Sequence, residues 1–129
     1  MALEVDVVSP ERILYSGDAE MVICRTPAGE IAFLTGHVPF LGALGIGIVR
    51  VHTTDSDEVK VAVHEGFVEV KDDRVVILSD VAELPDQIDV ERARRAKEDA
   101  EGRLQQEDDA ELDAKLRRAV TRLELADEQ

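Results

Sequence analysis

Over the first two thirds of the chain, apolar residues recur at every second position. Leu3, Val5 and Val7 alternate with Glu4 and Asp6, and Ala19, Met21 and Ile23 with Glu20, Val22 and Cys24. Val59, Val61 and Val63 alternate with Lys60, Ala62 and His64. Such a rhythm belongs to strands with one face in a core. Turn formers separate the runs at Ser9-Pro10, Ser16-Gly17-Asp18, Pro27-Ala28-Gly29, Asp55-Ser56-Asp57 and Lys71-Asp72-Asp73. The apolar run Val75-Val76-Ile77-Leu78 reads as a strand buried on both sides. Together these signals predict short antiparallel strands in a β-sandwich or barrel.

The stretch from Gly36 to Gly47 interrupts this rhythm. Gly36, Gly42, Gly45 and Gly47, with Pro39, argue against a regular strand or helix for most of it. Phe40, Leu41, Leu44 and Ile46 nevertheless need a surface. Two readings stand: a buried crossover loop, or an apolar contact patch for a partner.

At Pro85 the period changes from two to about 3.6. Residues 1–84 are therefore expected to form the head and residues 85–129 a two-helix tail. Ala93, Ala96, Ala100 and Leu104 mark one amphipathic helix, and Leu112, Leu116, Val120 and Leu123 the next. Asp99 with Arg103 and Glu111 with Lys115 stand at i, i+4, acid first. The polar segment Gln105-Gln106-Glu107-Asp108-Asp109 separates the helices, with Asp108 or Asp109 as a cap, so an antiparallel hairpin is expected. Alanines bury little apolar surface compared with the ~1.5–3 kcal/mol of a buried Leu or Val. Gly102 costs the first helix about 0.8–1.0 kcal/mol relative to Ala. The hairpin is expected to be weakly held.

Composition narrows the class of partner. With 29 acids against 15 Lys and Arg, the formal charge of −14 repels phosphate backbones, and no nucleic-acid partner is expected. The 44% hydrophobic content is almost entirely aliphatic, with no Trp, one Tyr and three Phe, which suits packed layers better than base stacking. The lone Cys24 lies in the apolar run Met21-Val22-Ile23-Cys24 and reads as a buried, inert thiol in a reducing compartment. Acids follow Met1 at once, so no signal peptide is expected. The Ile31–Val49 stretch, broken by glycines and Pro39, is a poor membrane span. A cytosolic chain able to dock on a membrane-bound partner is the expectation.

Catalytic patterns are missing from the sequence. His37, His52 and His64 lie in separate segments with no metal-ligand spacing, and neither a phosphate-binding glycine loop nor a nucleophile elbow is present. A non-catalytic interaction module is expected, with no required cofactor and no metal.

Read in order, the head contains Thr26-Pro27-Ala28-Gly29-Glu30-Ile31-Ala32-Phe33-Leu34-Thr35-Gly36-His37-Val38-Pro39-Phe40-Leu41, then Val63-His64-Glu65-Gly66-Phe67-Val68-Glu69-Val70. The tail opens with Ile88-Asp89-Val90-Glu91-Arg92-Ala93. Over nearly the whole chain this pattern resembles the epsilon subunit of bacterial F-type ATP synthases. The sequence departs from the family where Thr35 replaces a usual Pro and Glu65 replaces one of two paired glycines.

The resemblance implies a central-stalk rotor subunit, peripheral on the cytoplasmic side of the cell membrane and not inserted in it. It implies contacts with the gamma subunit and the c-ring through Glu30, His37, Phe40 and Leu41. It implies a tail that folds beside the head or extends along gamma to an acidic segment of the beta subunit, restraining ATP hydrolysis. Lys115, Arg117, Arg118 and Arg122 would supply the cations, although the same residues also serve as a solvated helix face. Ile88-Asp89-x-x-Arg92-Ala93 is similar to the signature of epsilon subunits whose hairpin closes on ATP as a regulatory ligand. There Glu83, Ile88 and Asp89 would contact the adenine and ribose, Arg92 with Arg118 or Arg122 would face phosphate, and Ala93 would complete the signature. The segment is equally an ordinary helix start, with Asp89 at the N-terminal dipole. Three readings follow: a rotor subunit, an ATP-sensing module, or an unrelated acidic adaptor.

Overall fold

Turn chemistry and strand period together set the element order in the computed structural model, which describes residues 2–127. Strands β1 (Leu3–Ser9), β2 (Arg12–Thr26), β3 (Gly29–Leu34), β4 (Phe40–Thr53), β5 (Glu58–Lys71), β6 (Arg74–Leu78) and β7 (Ala82–Glu83) come first. A 3-10 turn (Pro85–Gln87), α1 (Val90–Leu104) and α2 (Ala110–Asp127) follow. Strands pair in the order β1-β6-β5-β4-β2-β3, β7 adds to β5, and a further β1–β2 ladder closes the sheet on itself. The result is a sandwich-like closed barrel followed by two helices.

Two details depart from the expected run of short antiparallel strands. β2, β4 and β5 are long, at 15, 14 and 14 residues. β1 and β6 pair in parallel. Ser16-Gly17-Asp18, expected as a turn, lies inside β2 opposite β1. The ladder tolerates it because the Tyr15 ring lies over Gly17, where an added Cβ would be 2.9 Å from the phenol oxygen, and Ser16 Oγ donates to Asp6 at 2.7 Å.

The glycine-rich stretch is also a correction: β4 begins at Phe40 and continues through Gly42, Gly45 and Gly47. Here the glycines make room for neighbours lying flat on the sheet. A Cβ on Gly42 would fall 2.7 Å from the Phe40 ring, and one on Gly47 would fall 3.0 Å from Arg25. β6 is not buried on both sides, because Val75 and Ile77 point inward whereas Leu78 is 53% exposed.

β4 and β5 share one register throughout, from Phe40↔Val70 to His52↔Glu58, but Gly45 and Glu65 do not pair. At that point the inward side switches. Leu44, Val68 and Val70 enter the core on one side of it; Val49, Val51, Val61 and Val63 do so on the other. Glu65 takes φ 68° and Gly66 φ 155°. A Cβ at Gly66 would sit 2.1 Å from the Leu78 carbonyl oxygen. Because the side-chain period is two, a change of phase turns every following residue over. The face opposite the core thus carries Ile46 and His64 on one side of the break and Ala43 and Phe67 on the other.

In the tail, α1 packs on α2, and α2 packs on β4, β5 and the 3-10 turn. Asp109 caps α2 by accepting from the Glu111 N–H at 2.8 Å. The expected stripes hold only in part. Ala93, Ala100 and Leu112 are buried, but Ala96 is exposed and Leu116, Val120 and Leu123 are half-buried. Ala119, Thr121 and Leu125 are buried in addition. Leu112 and Ala119 share one side of the helix and Thr121 and Leu125 the other, since α2 has both α1 and the head to cover. Asp99 meets Arg103 at 3.9 Å, whereas Glu111 meets Arg118 at 3.4 Å rather than Lys115.

Candidate functional site

Glu83 occupies the seam between head and tail. β7 holds it through the register pairs Ala62↔Glu83 and Val63↔Ala82 with β5. Its Oε1 accepts from His64 Nε2 at 3.0 Å and from Arg122 Nε of α2 at 2.6 Å. The hydrogen bond from His64 holds the carboxyl below its ordinary range, helped by Arg122 and opposed by burial. The His64 side chain is 2% exposed, its backbone N–H donates to the Val81 carbonyl at 3.0 Å, and its buried Nδ1 has no partner among the described residues. The Ser79 hydroxyl lies 2.6 Å from the Glu65 carbonyl oxygen and 2.9 Å from that of Val81, bracing the same corner.

The motif that opens the tail builds a cap. Asp89 Oδ1 accepts from the Arg92 N–H at 3.1 Å, and its carbonyl accepts from the Ala93 N–H at 3.0 Å. Ala93 is buried, Ile88 half-buried and Arg92 exposed. Of the proposed nucleotide residues, contact therefore joins Glu83 to Arg122 and Asp89 to Arg92 and Ala93, while Arg118 is engaged by Glu111. Lys115 and Arg117 are exposed on α2, and Arg118 and Arg122 are half-buried.

Of the expected contact residues for gamma and the c-ring, His37, Phe40 and Leu41 lie at or beside the β3–β4 connection, whereas Glu30 lies at the other end of β3. Glu30 is exposed on β3. His37 packs edge-on to Phe33, ring centroids 4.9 Å apart, and Phe33 lies 5.5 Å from Phe40. These rings pack among themselves; Val38 and Leu41, about 70% exposed (71% and 72%), are what the loop offers to a partner. Val38 was missed because nothing in the sequence separates it from its packed neighbours.

A larger surface was not legible in the sequence. Ala43, Phe67, Leu78, Val8 and Ile13 are successive register partners across β4, β5, β6, β1 and β2. Ile13, Phe67 and Leu78 are 63%, 61% and 53% exposed. Beside this row lies a groove of about 640 Å³, lined by Val8, Ala43, Phe67 and Leu78 of the row and by Pro10, Leu44, His64 and Gly66. Exposed apolar patches of this kind mark interaction sites. The alternation in β5 located Phe67 on a strand but, without the phase switch, not on a bare face.

Away from the seam, Cys24 is buried, and burial pushes its thiol up to about 12. Among the described residues, no helix is long and apolar enough to cross a membrane.

The fold defines a class: a β-sandwich head carrying a helical hairpin. The chain belongs to the ATP synthase delta/epsilon-chain family, as an epsilon chain of the F-type enzyme: the β-sandwich domain model matches residues 2–85 and the long α-helix domain model residues 86–127. It is 52% identical over 111 residues to the ATP synthase epsilon chain of Brevibacillus brevis, covering 86% of this chain and 83% of that protein. It is 47% identical over 129 residues to the epsilon chain of Halalkalibacterium halodurans, covering 96% of each. A chain in the cryo-EM structure of the Euglena gracilis mitochondrial ATP synthase, OSCP/F1/c-ring, shares the fold. That match has a TM-score of 0.83 at 24% identity, over 97% of this chain and 81% of that one.

Proposed function

We propose that this chain is a non-catalytic rotor subunit of the central stalk, coupling proton flow to ATP synthesis and restraining ATP hydrolysis through its tail. The observation that carries the reading is the exposed row from Ala43 to Ile13, which gives the head a ready docking face. Gamma is the partner for that row; the c-ring takes Glu30 and, separately, the connection that carries His37, Val38 and Leu41. Burying Phe67 and Leu78 at such a contact contributes roughly 1.5–3 kcal/mol each. As part of that complex the chain sits peripherally on the cytoplasmic side of the cell membrane. An extended tail brings Lys115, Arg117, Arg118 and Arg122 to the beta subunit. Exposed charges are screened within about 8–10 Å at physiological salt, so these contacts count only inside the confined stalk. Truncation after Pro85 is the test: the assembled complex keeps its subunits and synthesis while hydrolysis rises. Unchanged hydrolysis removes the restraint.

A second reading, ATP sensing by the hairpin, is favoured by the contact of Glu83 with Arg122 and by the ordered Ile88–Ala93 cap. Calorimetry with ATP on the wild type and on Arg92→Ala decides it: a heat in the wild type that weakens in the variant supports sensing, and equal or absent heats remove it.

A further inference from the structure

One carboxylate joins three elements that are far apart in sequence. Glu83 is 19 residues from His64 and 39 from Arg122, yet both bond the same oxygen. The carboxylate hangs from a two-residue strand and has little backbone support of its own. The imidazole, in contrast, is fixed. It is buried, its backbone is tied to Val81, and its strand is paired to β4 on the other side. Among the described residues its buried Nδ1 has no hydrogen-bond partner, so the ring is held for what Nε2 does. With the proton on Nε2, that nitrogen donates to Glu83 and the other presents a lone pair.

We propose that His64, Glu83 and Arg122 form a clamp that sets how firmly α2 rests on the head, with His64 as a positioning residue. His64 aims the carboxylate, and Arg122 is the hand by which the tail grips it. The rest of the α2 contact is modest: Leu116 and Val120 are half-buried over a groove with Ile46 and Ile48, and of the described α2 residues Thr121 and Leu125 are buried on that side. A charge-assisted bond of good geometry is roughly twice as strong as a neutral one. Removing either partner of Glu83 therefore frees α2 ahead of the head. The clamp concerns how the tail is held in the chain itself and stands apart from whether the tail restrains hydrolysis.

Hydrogen exchange on the full-length chain tests it, with α2 peptides read against β5 peptides. Glu83→Gln and His64→Ala speed α2 exchange about ten- to a hundred-fold while β5 exchange stays put. His64→Gln, whose amide nitrogen donates to Glu83, restores most of the protection. Unchanged α2 exchange in Glu83→Gln overturns the clamp. A His64→Ala effect that His64→Gln does not reverse overturns the positioning role. Hydrolysis by the complex carrying Glu83→Gln separates the two proposals: α2 release with unchanged hydrolysis leaves the clamp standing and removes the restraint.

Discussion

The face of β4 and β5 that points away from the core has a covered half and a bare half. On one side of the Gly45–Glu65 break, Ile46 lies beneath α2, His64 bonds Glu83 of β7, and both are buried. On the other, Ala43 and Phe67 face solvent, and Phe67 is 61% exposed. The strands and their register are continuous across the two. Their difference shows that a strand's apolar residues do not by themselves say what buries them: one half is satisfied within the chain, and the other is left for a partner.

The largest effect on this contrast is expected from Gly66→Ala. The new Cβ meets the Leu78 carbonyl oxygen at 2.1 Å, a backbone atom that cannot step aside. A loss of about 3 kcal/mol is expected, read as a lowered urea midpoint for the whole head. A midpoint within error of wild type would mean that the break is soft and does not hold the two halves in different phase.

A paired substitution sharpens the comparison. Ile46→Ser, at 9% exposure beneath α2, is expected to cost roughly 2–3 kcal/mol. Phe67→Ser on the bare half should stay within about 0.5 kcal/mol, as surface changes do, while weakening capture of gamma. Equal losses in thermal unfolding would erase the distinction between the halves.

Acid gives a smaller and more local effect. The Glu83 carboxyl is held below its ordinary value of 4.5, chiefly by the His64 hydrogen bond. A lowered pKa in the folded state contributes stability that is complete above about pH 4.5 and is lost as pH falls through the folded value. As pH falls below about 4.5, α2 exchange should rise before that of β5, and the rise should be blunted in Glu83→Gln. The variant matters because Asp6 in the head is also lowered, chiefly by its bond from Ser16, and its contribution too is lost in acid. An identical acid response in both proteins would assign the effect to other carboxylates.

Much of the architecture was readable from local chemistry. Alternating Leu3, Val5 and Val7 do line the core, Asp89 and Asp109 do cap helices, and Cys24 is buried. Period and capping are short-range properties, so a single stretch of sequence carries them. The glycine-rich segment was misread because Gly42 and Gly47 serve as strand positions only where Phe40 and Arg25 lie across them. Leu78 was misread for the opposite reason, since its run of four apolar residues cannot report that nothing covers one side.

The sequence by itself determined where sheet gives way to helix, because a period of two or of 3.6 is written in neighbouring residues. Only the tertiary structure decided which outward faces are covered and that His64, Glu83 and Arg122 meet on one oxygen. Those outcomes depend on where distant segments come to rest, and no local repeat encodes the distance between them.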